Sequence, residues 1–271
     1  MTVDKGKAGA RTAAAMRRAI SLVLVWALTC SPVFASQVFA EPTPDPMTGT
    51  GTELDPYIVT TAEQLNQVRD KVNAHYRLGN DIALTGNWTP IGNVWDVWRM
   101  VSEPFEGHFD GGGYTISGLS ISSDNDYAGL FGYIGTDGVV RNVRLDAVNV
   151  TGTGSWNTAI GALAGKSEGE IEDVHVTGGT VTGPNTVGGL VGSAEEGFSI
   201  IGSSISANVS SNGLLTGVYG GLVGQASGGT IENSSASGIV NAGSSDKAGG
   251  SIGSATDTTV IGSRAEGAVS S

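Results

Sequence analysis

Gly189-Leu-Val-Gly192 decides the fold, because the chain repeats it. Equivalent blocks stand at Gly129-Leu-Phe-Gly132, Ala162-Leu-Ala-Gly165, Gly221-Leu-Val-Gly224 and Gly250-Ser-Ile-Gly253, with steps of 33, 27, 32 and 29 residues. After each block comes a second pattern: Val139-Val-Arg-Asn-Val-Arg-Leu145, Glu170-Ile-Glu-Asp-Val-His-Val176, Ser199-Ile-Ile-Gly-Ser-Ser-Ile205, Thr230-Ile-Glu-Asn-Ser-Ser-Ala236 and Thr259-Val-Ile-Gly-Ser-Arg-Ala265. A third apolar touch follows at Val150, Val181, Val209, Val240 and Val269. Apolar and polar residues alternate, as in Val174-His175-Val176, which is the period of a strand.

One such repeat cannot bury its apolar face alone. Stacked copies can, each adding about 4.8 Å along an axis and pairing its backbone with the copies on either side. The expected fold is therefore all-β, a right-handed parallel β-helix, with Leu130, Leu163, Leu190 and Leu222 laddered along its interior. Glycines beside them serve tight corners or positive φ. A β-propeller competes, but a four-stranded blade needs about 40 residues. Repeat-length differences are expected in loops, with Thr153–Asn157 and Asn212–Gly217 as the looser segments.

Residues 51–122 read differently. Asp55-Pro-Tyr-Ile-Val-Thr60 suits a strand. Residues 61–72 suit a helix, with Thr61 and Gln64 at capping-box spacing and Leu65, Val68 and Val72 on one face. Tyr76–Leu78 and Asp81–Leu84 suit two short strands. A stack of strands has an open end that invites aggregation, and the amphipathic helix is expected to cover it as a short N-terminal cap. Trp88, Trp95 and Trp98, with Phe105, Phe109 and Tyr114, concentrate here. Burial in wider first coils is favoured for them over stacking on sugar rings.

Composition agrees. Glycine contributes 43 of 271 residues without a G-X-Y period, which excludes collagen. A hydrophobic share of 39% is too high for a disordered chain. The net charge is −12; the first 40 residues carry +4, leaving −16 on the rest. An acidic body argues against nucleic acid and anionic membrane surfaces. Arg17 and Arg18, the apolar run Ala19–Leu28 and the small-residue sites Val33-Phe34-Ala35 and Val38-Phe39-Ala40 make a secretory signal peptide. Cleavage after Ala40 leaves Glu41-Pro-Thr-Pro-Asp-Pro46 as an extended linker; a site after Ala35 stays open. Cys30, the only cysteine, lies in this leader. Leu28-Thr29-Cys30 departs from a lipoprotein site at Thr29. A mature chain without it has neither a disulfide nor a thiolate metal site.

Asp55-Pro-Tyr-Ile-Val-Thr-Thr-Ala-Glu-Gln-Leu65, Tyr76-Arg-Leu-Gly-Asn-Asp-Ile82, Trp88-Thr-Pro-Ile-Gly92 and Phe105-Glu-Gly-His-Phe-Asp-Gly-Gly-Gly-Tyr-Thr-Ile116, followed by the Gly-Leu-Val-Gly blocks, resemble the GLUG-motif proteins over residues 50–271. The resemblance implies an extracellular repeat region of a large bacterial surface or secreted protein, often linked with adhesion, and in some cases the non-catalytic part of an immunoglobulin A-cleaving zinc peptidase. It transfers no catalytic residue. Ser251 departs from it, replacing the interior leucine and weakening that coil.

Motifs for chemistry are sparse. H-E-x-x-H is absent, and His75, His108 and His175 have no partner at metal-ligand spacing. G-x-S-x-G occurs around Ser167 and Ser251, but neither serine is followed by a helical pattern, as a nucleophile elbow requires. Gly161–Ser167 lacks P-loop spacing. Asp81, Glu106, Asp110 and Asp137, with Arg141 or Arg144, are the groups a β-helical glycosidase or polysaccharide lyase would use. Asp110 equally fits a turn, bonding the backbone that follows it. Asp124-Asn125-Asp126 lacks the spacing of an EF-hand loop.

The reading is a signal peptide over 1–40, a linker over 41–52, an N-terminal capping part of the helix over 53–122 and repeats over 123–271. The expected function is a non-enzymatic secreted or cell-surface module for adhesion or display, with no catalytic residue, cofactor or metal site. Its expected partner is a cell-surface glycan or protein, with no membrane insertion after leader cleavage. The alternatives are a carbohydrate-active β-helical enzyme or the accessory region of a larger secreted peptidase. The chain ends within a repeat, so a longer parent protein is expected.

Overall fold

The computed structural model describes residues 46–92, 103–154, 158–213, 216–244 and 247–270. The expected signal peptide, residues 41–45 of the linker, Trp95, Trp98 and parts of both loose segments lie outside them.

The described chain is a parallel β-solenoid of about six turns. Strands gather into four sheets of eight, eleven, five and five strands, and every ladder is parallel. Parallel pairing between consecutive repeats rules out propeller blades, whose neighbouring strands are antiparallel. Each repeat visits the sheets in turn. One coil runs through Val218–Gly220 in the third sheet, Val223–Ser227 in the fourth, Thr230–Glu232 in the first, and Ser235–Ala236 and Val240–Asn241 in the second.

The registers confirm the ladders. Val150, Val181, Val209, Val240 and Val269 are successive partners. Leu130, Leu163, Leu190 and Leu222 are fully buried. Their amides pass hydrogen bonds along the stack, Leu163 N to Leu190 O at 3.0 Å and Leu190 N to Leu222 O at 2.8 Å. At the fifth block the Ser251 hydroxyl is buried with no hydrogen-bond partner among the described residues, the weak point expected there.

The corner between the first and second sheets recurs in the sequence. Asn142, Asp173, Gly202, Asn233 and Gly262 hold φ values of 55, 51, 61, 49 and 60°. Glycine, Asn and Asp reach this left-handed region at least cost. The glycines of the Gly-Leu-Val-Gly blocks serve another purpose. Gly189 and Gly221 have no positive φ, yet a Cβ on each would collide with the carbonyl oxygen of Gly221 and Gly250 respectively. Close backbone approach, not handedness, demands glycine there.

The N-terminal helix is shorter than expected. It spans Ala62–Gln67 and continues as a 3-10 turn over Val68–Asp70. The cap is also offset. Thr61 Oγ1 accepts from Gln64 N at 3.2 Å, but Gln64 Oε1 accepts from Thr60 N at 2.7 Å, one residue before the position a capping box uses. Leu65 and Val68 are fully buried in the common core, against which Val72 packs. The strand Tyr57–Val59 opens the first sheet, and Ile58 N donates to Thr48 O at 2.8 Å in an isolated antiparallel bridge. Helix and bridge together cover the core and block the strand edge at this end.

Candidate functional site

Of the carboxylates that a glycosidase would need, Asp81, Glu106 and Asp110 each accept a hydrogen bond from a backbone amide. Asp81 Oδ1 accepts from Thr115 N at 2.8 Å, and Glu106 Oε2 from Asp137 N at 2.8 Å. Asp110 Oδ1 accepts from Gly112 N and from Asn142 Nδ2, both at 2.9 Å, and Arg141 Nε lies 3.7 Å from Asp110 Oδ2. Arg144 Nε donates to Gly113 O at 3.2 Å. The turn reading of Asp110 is the one the geometry supports. Each of these side chains clips a turn or joins two coils.

Ser167 is fully buried in a strand, Ala164–Ser167, in register with Ile134 and Ala194. No helix follows it, so it is no nucleophile elbow. Its hydroxyl has no hydrogen-bond partner among the described residues. No group of three or more His, Cys, Asp or Glu side chains is placed to hold a metal among the described residues. Trp88, Phe105 and Phe109 are buried, as expected, while Tyr114 is 39% exposed. Trp88 also donates Nε1–H to Leu130 O at 3.1 Å.

Two clusters escaped the motif search, because their members are one coil apart in sequence. In the first, Lys166 Nζ lies 2.9 Å from Glu168 Oε1, 2.8 Å from Glu195 Oε2 and 4.6 Å from the centre of the Tyr133 ring. Tyr133 donates its hydroxyl to Glu168 Oε2 at 2.6 Å. Burial and the bond to Glu168 push the Tyr133 phenol up to about 12. The second is the histidine pair His75 and His108, direct register partners with ring centroids 4.4 Å apart. Burial, then His75 and Arg141, hold His108 below the ordinary imidazole value, against the pull of Glu53 and Glu170. The signal for both was the repeat step itself: residues about 30 apart become neighbours.

These features define a repeat solenoid with a polar exterior, and comparison with known proteins places it more closely. The family model described as the GLUG motif matches residues 216–241. That stretch is the coil traced above through all four sheets, so the motif is one complete turn of the solenoid. A protein named as a Gly-rich membrane protein from Evansella cellulosilytica is 40% identical over 131 residues, covering 47% of this chain and 15% of that protein. Halomucin from Haloquadratum walsbyi is 38% identical over 177 residues, covering 60% of this chain and 2% of that protein. The chain thus spans a small part of these curated relatives. A solved structure titled as an immunoglobulin A1 protease from Bacteroides ovatus superposes with a TM-score of 0.67 at 23% identity, covering 82% of this chain and 69% of that one. A second, titled IgA1 protease, gives a TM-score of 0.50 at 19% identity, covering 78% of this chain and 19% of that one. At these identities the likeness is one of fold. No described helix is long and apolar enough to cross a membrane.

Proposed function

We propose that the chain is a non-enzymatic secreted or cell-surface repeat module that adheres or displays through a polar sheet face. The observation that carries this reading is the outer side of the second sheet. Ser120, Asn149, Thr180 and Asn208 form one column, and Ser122, Thr151, Thr182, Ser210 and Asn241 form another. Hydroxyls and amides thereby recur once per coil, about 4.8 Å apart. A rigid lattice of this kind offers many weak hydrogen bonds, whose combined strength comes from multivalency. Its partner is a cell-surface glycan or a protein ligand. The GLUG match, relatives named for a membrane protein and halomucin, and the sequence leader all favour an extracellular setting.

The test is binding of the purified chain to glycan arrays and to intact cells. Saturable binding that falls when Thr180 and Thr182 are both changed to Ala supports the reading. Release of reducing or unsaturated sugars from pectin, alginate, carrageenan or glucan would replace it with the carbohydrate-active alternative.

A further inference from the structure

The three histidines look alike in sequence, but the fold treats them differently. His175 has both ring nitrogens engaged, Nδ1 with Ser204 Oγ at 2.8 Å and Nε2 with Asp173 Oδ1 at 2.9 Å. Those bonds leave it no lone pair for a ligand. His75 and His108 have no hydrogen-bond partner for any ring nitrogen among the described residues. They sit on adjacent strands of the first sheet, on its outer side, with ring planes inclined at 44°. Both are half-buried beside a concavity of about 340 Å³ whose lining includes Glu53, Asp110 and Arg141.

Two neighbouring imidazoles with free nitrogens form a ligand pair suited to zinc, nickel or copper. The carboxylates beside them are not equivalent. Asp110 is held by Gly112, Asn142 and Arg141, an arrangement that also offsets the Arg141 charge. Glu53 is exposed, and no hydrogen bond holds its side chain among the described residues. Its turn is fixed close by: His75 N donates to Gly51 O at 3.0 Å, and Thr52 pairs with Asp55.

We propose that His75 and His108 form a two-imidazole site for a divalent transition-metal ion, with the Glu53 carboxylate swinging in as third ligand. Among the described residues no three-ligand set is assembled beforehand, so the proposed ion would complete its shell with water. The bound ion would tie together the second and third strands of the first sheet and the turn at residues 51–55. Affinity is expected to follow Cu²⁺ above Ni²⁺, with no binding of Mg²⁺ or Ca²⁺, which prefer all-oxygen shells.

The experiment is calorimetric titration of the untagged full chain with zinc and nickel chloride, with Cys30 alkylated to remove its thiol. In parallel, imidazole NMR signals are followed on the unmutated chain, which needs no variant to fold. One equivalent is expected to bind, shifting the His75 and His108 signals and leaving His175 unmoved. His75→Ala and His108→Ala should each lose saturable binding, Glu53→Gln should weaken it, and His175→Ala should retain it. Absence of saturable binding, a shift centred on His175, or unchanged binding by both His75→Ala and His108→Ala would overturn the proposal.

Discussion

The coils before residue 135 and those after residue 200 share one register but fill their interiors with different atoms. Early on, Phe105 and Phe131 pack with ring centroids 5.0 Å apart, Phe109 meets Phe131 edge-on at 5.6 Å, and Tyr76 joins Phe105 at 6.4 Å. Later, one inward column shrinks from Ile116 and Leu145 through Val176 and Ile205 to Ala236 and Ala265. Another changes chemistry altogether: the corner position held by Val143 and Val174 becomes Ser203, Ser234 and Ser263. Each of these hydroxyls accepts from the amide of the preceding coil, at 3.1–3.2 Å. Each also donates to the carbonyl two residues earlier in its own coil, at 2.8–3.1 Å. The coil geometry thus tolerates either aromatic bulk or a satisfied polar ladder, because the backbone ladders set the spacing and the side chains need only fill or bond within it.

The largest effect should come from the aromatic end. Phe131→Ala removes the ring that touches both Phe105 and Phe109 and is expected to cost about 3–5 kcal/mol. Val209→Ala, in a late coil, removes two methyl carbons and should cost about 1.5 kcal/mol. Denaturant melts of the two variants test the contrast, and equal losses would mean that bulk is not what distinguishes the two regions. Next comes the serine ladder. Ser234→Ala deprives the buried Ser203 amide of its acceptor and should cost about 1–3 kcal/mol, far more than a surface serine. A loss below a few tenths would show that the ladder is incidental. Ser167→Ala should act in the opposite direction. It removes a buried hydroxyl that has no hydrogen-bond partner among the described residues, at a position whose register partner is Ala194, so a gain of about 1 kcal/mol is expected. Destabilisation by this change would mean that an ordered water serves the hydroxyl.

What was legible in the sequence followed the repeat. The leucine blocks, the valine touch and the seven-residue pattern all fall on observed ladders, because a solenoid writes its register directly into the chain. The fourth residue of that pattern, Asn142, Asp173, Gly202, Asn233 or Gly262, even marks the left-handed corner. The helix was overextended because Leu65, Val68 and Val72 keep helical spacing while the chain tightens to a 3-10 turn at Val68–Asp70 before re-entering the first sheet. Motif reading also failed for His75 with His108 and for Tyr133 with Lys166. Metal and catalytic motifs are defined over a few residues, whereas here the proximity comes from a full coil. Block glycines were read as turn formers, and only the structure reveals the neighbouring carbonyl that excludes a Cβ.

The smallest effect concerns acid, and it tests whether the Tyr133 cluster joins coils energetically or only decorates them. Burial works to raise Glu168, but the Tyr133 hydroxyl and the Lys166 ammonium outweigh it, leaving the carboxyl below its ordinary range. A carboxyl depressed in the folded state contributes stability in full above its unfolded value. That contribution is lost as pH falls through the lower folded value. The stability difference between the parent chain and Glu168→Gln should therefore be flat from neutral pH to about 5.5 and shrink below about 4. Its size should stay within about 1 kcal/mol, since the pair is only partly shielded from water. Tyr133→Phe deletes one of the two donors and should move the acid limb toward higher pH. Chemical melts at stepped pH read both variants. A difference that persists unchanged to pH 3 would show that Glu168 is not held ionised by its neighbours, and the link it makes between the Tyr133 and Lys166 coils would then carry no energetic weight.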